Sequence, residues 1–334
     1  MRRVGRWIWR TALTGFLGAG ILLVALEGYM RAPLSHPERV IDVRPGTSMG
    51  RVARQLEQMG VIRFYPALLL YGRLRGEDRR MKAGEYLFES GLTPHQVYTK
   101  LTTGAFRTFE IRLIEGWTYR QMARYLAQQS FITIPHFEAA FIAACEEPAR
   151  VAKLGIAASS LEGFLFPNTY RLHRPRSAGE IVDLLTTEFQ RQYTEAMGAQ
   201  ATTVGLSLLQ AVTLASIIEK ETGDPRERPL VSAVFHNRLQ KGMKLETDPT
   251  VVYGIPQYDG VIHRSDLANP HPYNTYVHQG LPPGPIANPG RASLEAAINP
   301  APVRYLYFVS RNDGTHVFSE DFRDHANAVQ EYQR

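Results

Sequence analysis

The stretch LSLLQAVTLASIIEKET, residues 206–222, predicts a buried helix that ends in a carboxylate. Between residues 208 and 218 only three side chains are polar, so apolar side chains cover most of the helix circumference. The sequence Gly-Asp-Pro at 223–225 predicts where this helix ends. We therefore expect a core helix with Glu219 in its last turn.

Glu219 is our candidate catalytic residue, because its predicted surroundings favour a protonated carboxyl group. The C-terminal end of a helix carries partial negative charge and an apolar wall desolvates a carboxylate, so both effects favour the neutral acid. A glutamic acid that keeps its proton near neutral pH can serve as a general acid. Lys220 and Arg226 would oppose this by stabilising the anion, and Glu221 is a rival candidate. A solvated or ion-paired glutamate is the ordinary alternative.

The charge distribution argues against a nucleic-acid partner. A chain of 334 residues is long enough for two or three domains, and its net charge is +6. Arg2, Arg3, Arg6 and Arg10 supply four of these charges, which leaves +2 for the remaining residues. A nearly neutral folded part does not suit binding to phosphates.

Cysteine and histidine usage predicts neither a metal site nor a cofactor. Cys145 is the single cysteine, which excludes an intrachain disulfide and a multi-cysteine metal site. None of the ten histidines lies in an HExxH or comparable ligand spacing. Surface or loop histidines are the better interpretation.

Residues 11–26 form an uncharged apolar run that predicts a single transmembrane helix. Trp7 and Trp9 precede the run and Tyr29 follows it, where aromatic residues of a membrane interface would stand. The arginines ahead of the run predict a cytoplasmic N-terminus, and everything after residue 30 would then lie outside the membrane's inner face. A cleaved signal peptide is the alternative.

One strand–turn–helix unit occurs three times after this run. Each unit has a strand-like run, a glycine, a helix N-cap two residues later, and apolar residues six and ten positions after the glycine. These positions are Gly46, Ser48, Val52 and Leu56; Gly91, Thr93, Val97 and Leu101; and Gly116, Thr118, Met122 and Leu126. The two apolar side chains share one helix face, so the units predict an α+β module over residues 38–130. Coincidental capping is the alternative.

The rest of the chain predicts further helices and two loop-like stretches. Residues 161–172, LEGFLFPNTYRL, fit a loop or strand that lines a cleft. Residues 244–290 are rich in Pro, Gly, Asn and Tyr, which is typical of functional walls or lids. Helical patterns lie near 135–144, 179–197, 230–239 and 322–332, with a last strand at 305–310.

Five motifs in this order, LEGFLFPNTY, LASIIEKET, LETDPTVVYG, YNTY and GLPPGPIANPG, resemble the YceG-like family of membrane-anchored endolytic murein transglycosylases. The resemblance covers essentially the whole chain. It implies an α+β fold with an anchor at residues 1–30, a LysM-like module at 31–105 and a catalytic domain at 106–334. Asn168 stands where the family commonly has Asp, which makes a structural role for this position the better expectation.

The resemblance further implies cleavage of the β-1,4 bond between N-acetylmuramic acid and N-acetylglucosamine without water, leaving a 1,6-anhydro end. Its catalytic glutamate corresponds to Glu219, which would act first as acid and then as base. Asp248 is the one acid we nominate to stabilise developing positive charge, with a simple turn role as the alternative. The candidate substrate-binding residues are Glu162, Thr247, Asp248, Tyr253, Asn274 and Tyr276.

The implied partners are peptidoglycan glycan strands and the peptidoglycan synthases, or penicillin-binding proteins. The implied location is the inner membrane, with one span and a periplasmic catalytic domain. Two other functions stay open: a muramidase that uses Glu219, Asp248 and water, and a non-catalytic, membrane-tethered glycan-binding scaffold.

Overall fold

The computed structural model divides the chain into two compact bodies, Met1–Phe109 and Glu110–Arg334. Both contain helices and strands, which confirms the predicted α+β fold class. The residues that the structure describes are 2–76, 80–175, 177–255 and 258–333.

The first body pairs two antiparallel strands and packs helices against them. Arg39 lies opposite Phe88 and Val43 opposite Gly84 in this ladder. The inward side chains, such as Tyr86, join buried residues of every helix in a single core. The elements are α1 (Arg2–Arg31), β1 (Arg39–Val43), α2 (Met49–Gln58), α3 (Tyr65–Leu74), β2 (Gly84–Phe88) and α4 (Pro94–Thr103).

The predicted transmembrane segment lies in α1. Among the residues that the structure describes, no single helix has both the length and the apolar character to cross a membrane, although Glu195–Thr203 and Leu208–Glu221 would pass together as a bent pair. The arginines predicted to face the cytoplasm lie outside the residues whose side chains are described. The large apolar side chains described between Leu13 and Val24 are exposed.

The second body is larger and mainly helical. Its strands pair two by two, β3 with β4 and β5 with β6. The elements are β3 (Phe109–Arg112), α5 (Tyr119–Ala127), α6 (Phe137–Cys145), α7 (Pro148–Lys153), β4 (Thr169–Leu172), α8 (Ala178–Gln192), α9 (Glu195–Thr203), α10 (Leu208–Glu221), α11 (Arg228–Gln240), α12 (Asp248–Tyr253), α13 (Arg264–Leu267), α14 (Arg291–Ile298), β5 (Tyr307–Ser310), β6 (His316–Ser319) and α15 (Phe322–Tyr332).

Helix α10 is the centre of the second body, as its sequence predicts. Every residue from Ala211 to Ile218 is buried, and α14 and α11 pack against it. A capping box between Ser207 and Gln210 fixes its first turn. Because the helix ends at Glu221, Glu219 stands in its last turn.

The three repeat units form as strand, turn and helix. Their glycines have φ of +80°, +86° and +77°, a region that favours glycine, and both apolar helix positions are buried in each unit. The third unit departs from the predicted module of residues 38–130. Its strand β3 pairs with β4 and its helix α5 packs against α6. Because β4 and α6 come later in the chain, the third unit belongs to the second body.

Two other local predictions were wrong. The helical pattern near 179–197 is broken into α8 and α9, because Tyr193 leaves the helical conformation and Thr194 caps a new helix. Residues 247–250, which the alternative role for Asp248 placed in a simple turn, open the helix α12 instead. Proline in the first turn of a helix is well tolerated, so Pro249 fits this start.

The N-caps of the first body allow a matched test. Thr93 accepts a hydrogen bond from the Gln96 amide in a capping box, whereas the Ser48 side chain makes no capping bond. We expect Thr93→Ala to reduce the local stability of α4 by about 1 kcal/mol. Ser48→Ala should change that of α2 by less than about 0.5 kcal/mol. Amide hydrogen exchange in the two helices measures both, and equal losses would contradict the assignment.

Candidate active site

The Glu219 carboxylate is held at the C-terminal end of α10 by one backbone amide and one cation. The Gly290 amide donates to Glu219 Oε2 at 3.0 Å, and Arg228 Nη2 donates to Oε1 at 3.3 Å. The Glu219 side chain is only 7% exposed and that of Arg228 10%. The sequence pointed to Lys220 and Arg226 as opposing cations, but Arg226 pairs with Asp224 instead. Arg228 takes that place.

A second acid, Glu115, lies beside Glu219. A Cβ added to Gly290 would meet the Glu115 carboxyl, so this carboxyl packs directly on the residue whose amide binds Glu219. Burial raises the pKa of Glu115, the Glu219 charge raises it further, and Arg228 lowers it. The structure thus brings two acids and one guanidinium together.

The segment around residues 286–290 joins these groups to α10. The Ile286 amide donates to Ser216 Oγ at 3.0 Å, which fixes the segment against the buried face of the helix. Asn288 then links it to the third repeat unit: the Gly116 amide donates to the Asn288 carbonyl, and the Asn288 amide donates to the Trp117 carbonyl, both at 2.9 Å. The repeat glycine is therefore part of the site.

Glu162 is the most enclosed acid of the site, with 2% of the residue exposed. Its Oε1 accepts bonds from the Tyr119 amide at 3.0 Å and from Asn288 Nδ2 at 2.9 Å, and its Oε2 accepts from the Tyr253 hydroxyl at 3.3 Å. Burial raises the pKa of Glu162 to about 8, although these hydrogen bonds favour the anion. Glu162 and Tyr253, both predicted site residues, are thus in direct contact.

Gly163 allows the Glu162 segment to approach α10 closely. Its φ is +86°, and a Cβ there would lie 2.5 Å from Pro285 Cγ and 2.8 Å from Val212 Cγ1. Another residue would be strained in this backbone conformation, and its Cβ would displace the neighbouring side chains. The glycine thus brings three segments of the site into contact.

Glu221, the rival of Glu219, points to a different environment. Residues two apart on a helix do not share a face, and the Glu221 carboxyl accepts a bond from the Thr247 hydroxyl. Burial raises the pKa of Glu221 to about 7, and the Asp248 charge contributes to this. The Tyr276 hydroxyl donates to Asp248 Oδ1 at 2.7 Å, so three predicted site residues surround Glu221.

Asn274 braces its own loop. Its Nδ2 donates to the carbonyls of Asp266, Leu267 and Asn269, and its Oδ1 accepts from the Tyr276 amide. Both the nitrogen and the oxygen of the side-chain amide are therefore used within the loop. The structure does not place Asn274 in contact with Glu115, Glu162 or Glu219.

Asn168, where the resemblance led us to expect Asp, also makes local contacts. Its side-chain oxygen accepts from the Thr169 amide and its nitrogen donates to Glu188 at 3.3 Å. This is the structural use that we expected.

A cleft of about 1260 Å³ opens in the second body next to these groups. Its walls offer carboxylates, cations and aromatic rings, a composition suited to sugar hydroxyls and sugar faces. Glu219 does not itself line the cleft, but its neighbours Gly116 and Lys220 do. The wall residues that bear on function are Tyr119, Glu162, Lys220, Asp248, Tyr253 and Tyr273.

The YceG-like family model matches residues 41–331. This chain belongs to the YceG-like family. That finding confirms the resemblance drawn from the five motifs, all of which supply residues to the acid clusters.

Curated relatives of the family carry a functional name. The chain is 31% identical over 307 residues to an endolytic murein transglycosylase of Bacillus subtilis, covering 87% of this chain and 84% of that protein. It is 24% identical to an endolytic murein transglycosylase of Streptococcus pneumoniae, of which it spans 58% of the length. A crystal structure of a YceG-like protein from Listeria monocytogenes superposes with a TM-score of 0.59 at 29% identity, covering 87% of this chain and 98% of that one.

Sequence reasoning missed Glu115, Arg228 and Asn288 as site residues. Glu115 directly precedes the repeat glycine Gly116, and Asn288 lies inside the quoted motif GLPPGPIANPG, so both were within recognised stretches. Arg228 lies in none of the recognised motifs. It reaches Glu219 because the turn after α10 folds the chain back toward the end of that helix.

Glu162 makes the stability of the chain depend on pH. Its folded pKa is raised from 4.5 to about 8, so between these values the folded state binds a proton that the unfolded state has lost. Stability from this group therefore falls as pH rises through that interval and is constant below it. We expect Glu162→Gln, which stays neutral, to gain in melting temperature relative to the unsubstituted chain over the interval. The exposed, ion-paired Glu295 provides the control Glu295→Gln. If the melting temperatures of Glu162→Gln and the unsubstituted chain changed with pH in the same way, the assignment would be contradicted.

Proposed function

We propose that this chain is an endolytic murein transglycosylase that cuts glycan strands without water. Family membership and the names of its relatives support this function. The observation that carries it is the position of Glu219: a buried acid in the last turn of an apolar helix, with a second acid beside it and a large cleft next to it.

In the proposed reaction, Glu219 acts twice. Its protonated carboxyl gives a proton to the glycosidic oxygen while the bond from that oxygen to C1 of the muramic acid breaks. The C6 hydroxyl of the same sugar then bonds to C1, and its proton passes to the Glu219 carboxylate. The products are a free hydroxyl on one strand and a 1,6-anhydro ring on the other, and the enzyme regains its starting state.

Arg228 opposes this role and Glu115 supports it. A guanidinium stabilises the ionised form of a neighbouring carboxyl, whereas a second carboxylate close by disfavours it. With both acids ionised, the trio carries a charge of −1, and one proton makes it neutral. We therefore assign the catalytic proton to the Glu115–Glu219 pair, with Glu219 as the group that delivers it.

The other predicted residues have supporting roles in this proposal. Asp248 and Tyr253 line the cleft, where a carboxylate can stabilise positive charge on the sugar ring and an aromatic face can stack on it. Glu162 holds Tyr253 in place. Thr247 bonds Glu221, Tyr276 bonds Asp248, and Asn274 holds the loop of Tyr276.

We further propose that α1 anchors the chain in the inner membrane, with a cytoplasmic N-terminus and a periplasmic active site. The apolar run at 11–26 and its aromatic flanks support this topology. The first body then serves as a LysM-like module, built of two repeat units, that binds glycan. Peptidoglycan synthases in the same membrane are the proposed source of substrate.

Replacing Glu219 tests the function directly. We expect Glu219→Gln to reduce cleavage of purified peptidoglycan by about 10²–10⁴-fold, with Glu295→Gln unchanged. Mass spectrometry of the unsubstituted enzyme's products should find anhydro ends, lighter by one water than reducing ends. Reducing ends would favour the muramidase with Glu219 and Asp248. No cleavage by the unsubstituted chain would favour the non-catalytic scaffold.

Replacing Glu115 tests the shared proton. Glu115→Gln removes the acid whose pKa is raised by burial and by the Glu219 charge, so the pair loses the group that keeps its proton to higher pH. A general acid must be protonated, so we expect the alkaline limb of the kcat profile to move to lower pH. Glu188, which pairs with the exposed Arg191, gives the control Glu188→Gln. An unchanged limb in Glu115→Gln would contradict the coupling.

A further inference from the structure

Helix α1 continues from an exposed apolar stretch straight into the core of the first body. Leu22, Leu23 and Val24 are 52–74% exposed, whereas Leu26 and Met30 are buried in the core that β1 and β2 share. The change occurs within one helical turn. The first body therefore begins where the exposed apolar stretch ends.

Tyr29 fixes one corner of this body to the end of that stretch. Its hydroxyl accepts bonds from the amides of Arg63 at 3.2 Å and Phe64 at 2.9 Å, and it lies 3.4 Å from the Phe64 carbonyl. Tyr29 follows Val24 by five residues, which is about 7.5 Å along a helix axis. The headgroup region on each side of a bilayer is about 5–8 Å thick.

The side chains at this corner suit that depth. Phe64 is 56% exposed although it is large and apolar, and Arg63 beside it is exposed as well. Phe64 is the N-cap of α3, whose outer side continues with exposed Leu70 and Leu74. Aromatic rings with adjacent cations are the groups that favour the interface between hydrocarbon and phosphate.

We propose that the Arg63–Phe64 corner is a second membrane contact, with Phe64 in the headgroup region and Arg63 on lipid phosphates. This inference rests on the proposed anchoring of α1. Its occupant is the surface of the same bilayer, since the corner is bonded to the residue that follows the span. Two contacts restrain the tilt of the first body on the membrane more than the helix alone would.

Spin labels on the full-length chain in phosphatidylglycerol nanodiscs test this. Cys145 is buried and burial raises the pKa of its thiol, so added cysteines can be labelled selectively. The variants are Phe64→Cys, Ile21→Cys in the apolar stretch, and Phe322→Cys, a similarly exposed phenylalanine of the second body. Relaxation by oxygen reports lipid, and relaxation by a soluble nickel chelate reports water.

We expect the label at 21 to report hydrocarbon, that at 322 water, and that at 64 several-fold more oxygen and less nickel contact than at 322. If the label at 64 shows the same oxygen and nickel relaxation as the label at 322 while the label at 21 reports hydrocarbon, the second contact is refuted and the anchor stands. If 21 also reports water, the anchor itself fails and the inference with it.

Discussion

The whole site depends on the hydrogen bonds of one fully buried side chain, Asn288. Its Nδ2 donates to Glu162 and to the Trp117 carbonyl, and its Oδ1 accepts from the Leu165 amide at 2.9 Å. The backbone of Asn288 forms two further bonds with the segment around Gly116. Unpaired polar groups at this depth would each cost about 1–3 kcal/mol. The amide thus joins three segments distant in sequence, which no apolar residue of its size could do.

Sequence patterns predicted the elements whose structure is determined by their own residues. Helix α10 is apolar over most of its circumference, so its burial follows from its residue pattern, and the Gly-Asp-Pro sequence at 223–225 places Glu219 in its last turn. Glu115 and Arg228 could not be found that way. Glu115 reaches the site because β3 pairs with β4, and that pairing reflects tertiary competition for a strand. Asp248 was placed in the correct stretch but in the wrong local structure, since a Pro after Asp suits both a turn and a helix start.

Burial acts differently on the acids of this site because their partners differ. Glu162 is surrounded by neutral donors, so desolvation prevails and the pKa rises to about 8. Glu115 has a cation and another acid as neighbours, and the two charges work against each other. A local sequence pattern cannot separate these cases, since each acid is preceded or followed by ordinary apolar residues. The distinction comes from whether a guanidinium reaches the carboxyl.

The opposed charges around Glu219 suit a residue that must serve as acid and then as base. If the neutral form were strongly favoured, the carboxylate left after proton donation would be too high in free energy. If the anion were strongly favoured, the residue would have no proton to donate. Arg228 stabilises the state after proton donation, and Glu115 stabilises the state before it. In the proposed mechanism these two neighbours act on the proton of Glu219 in opposite directions. That balance is what a single acid needs in order to replace the carboxyl pair of an ordinary glycosidase.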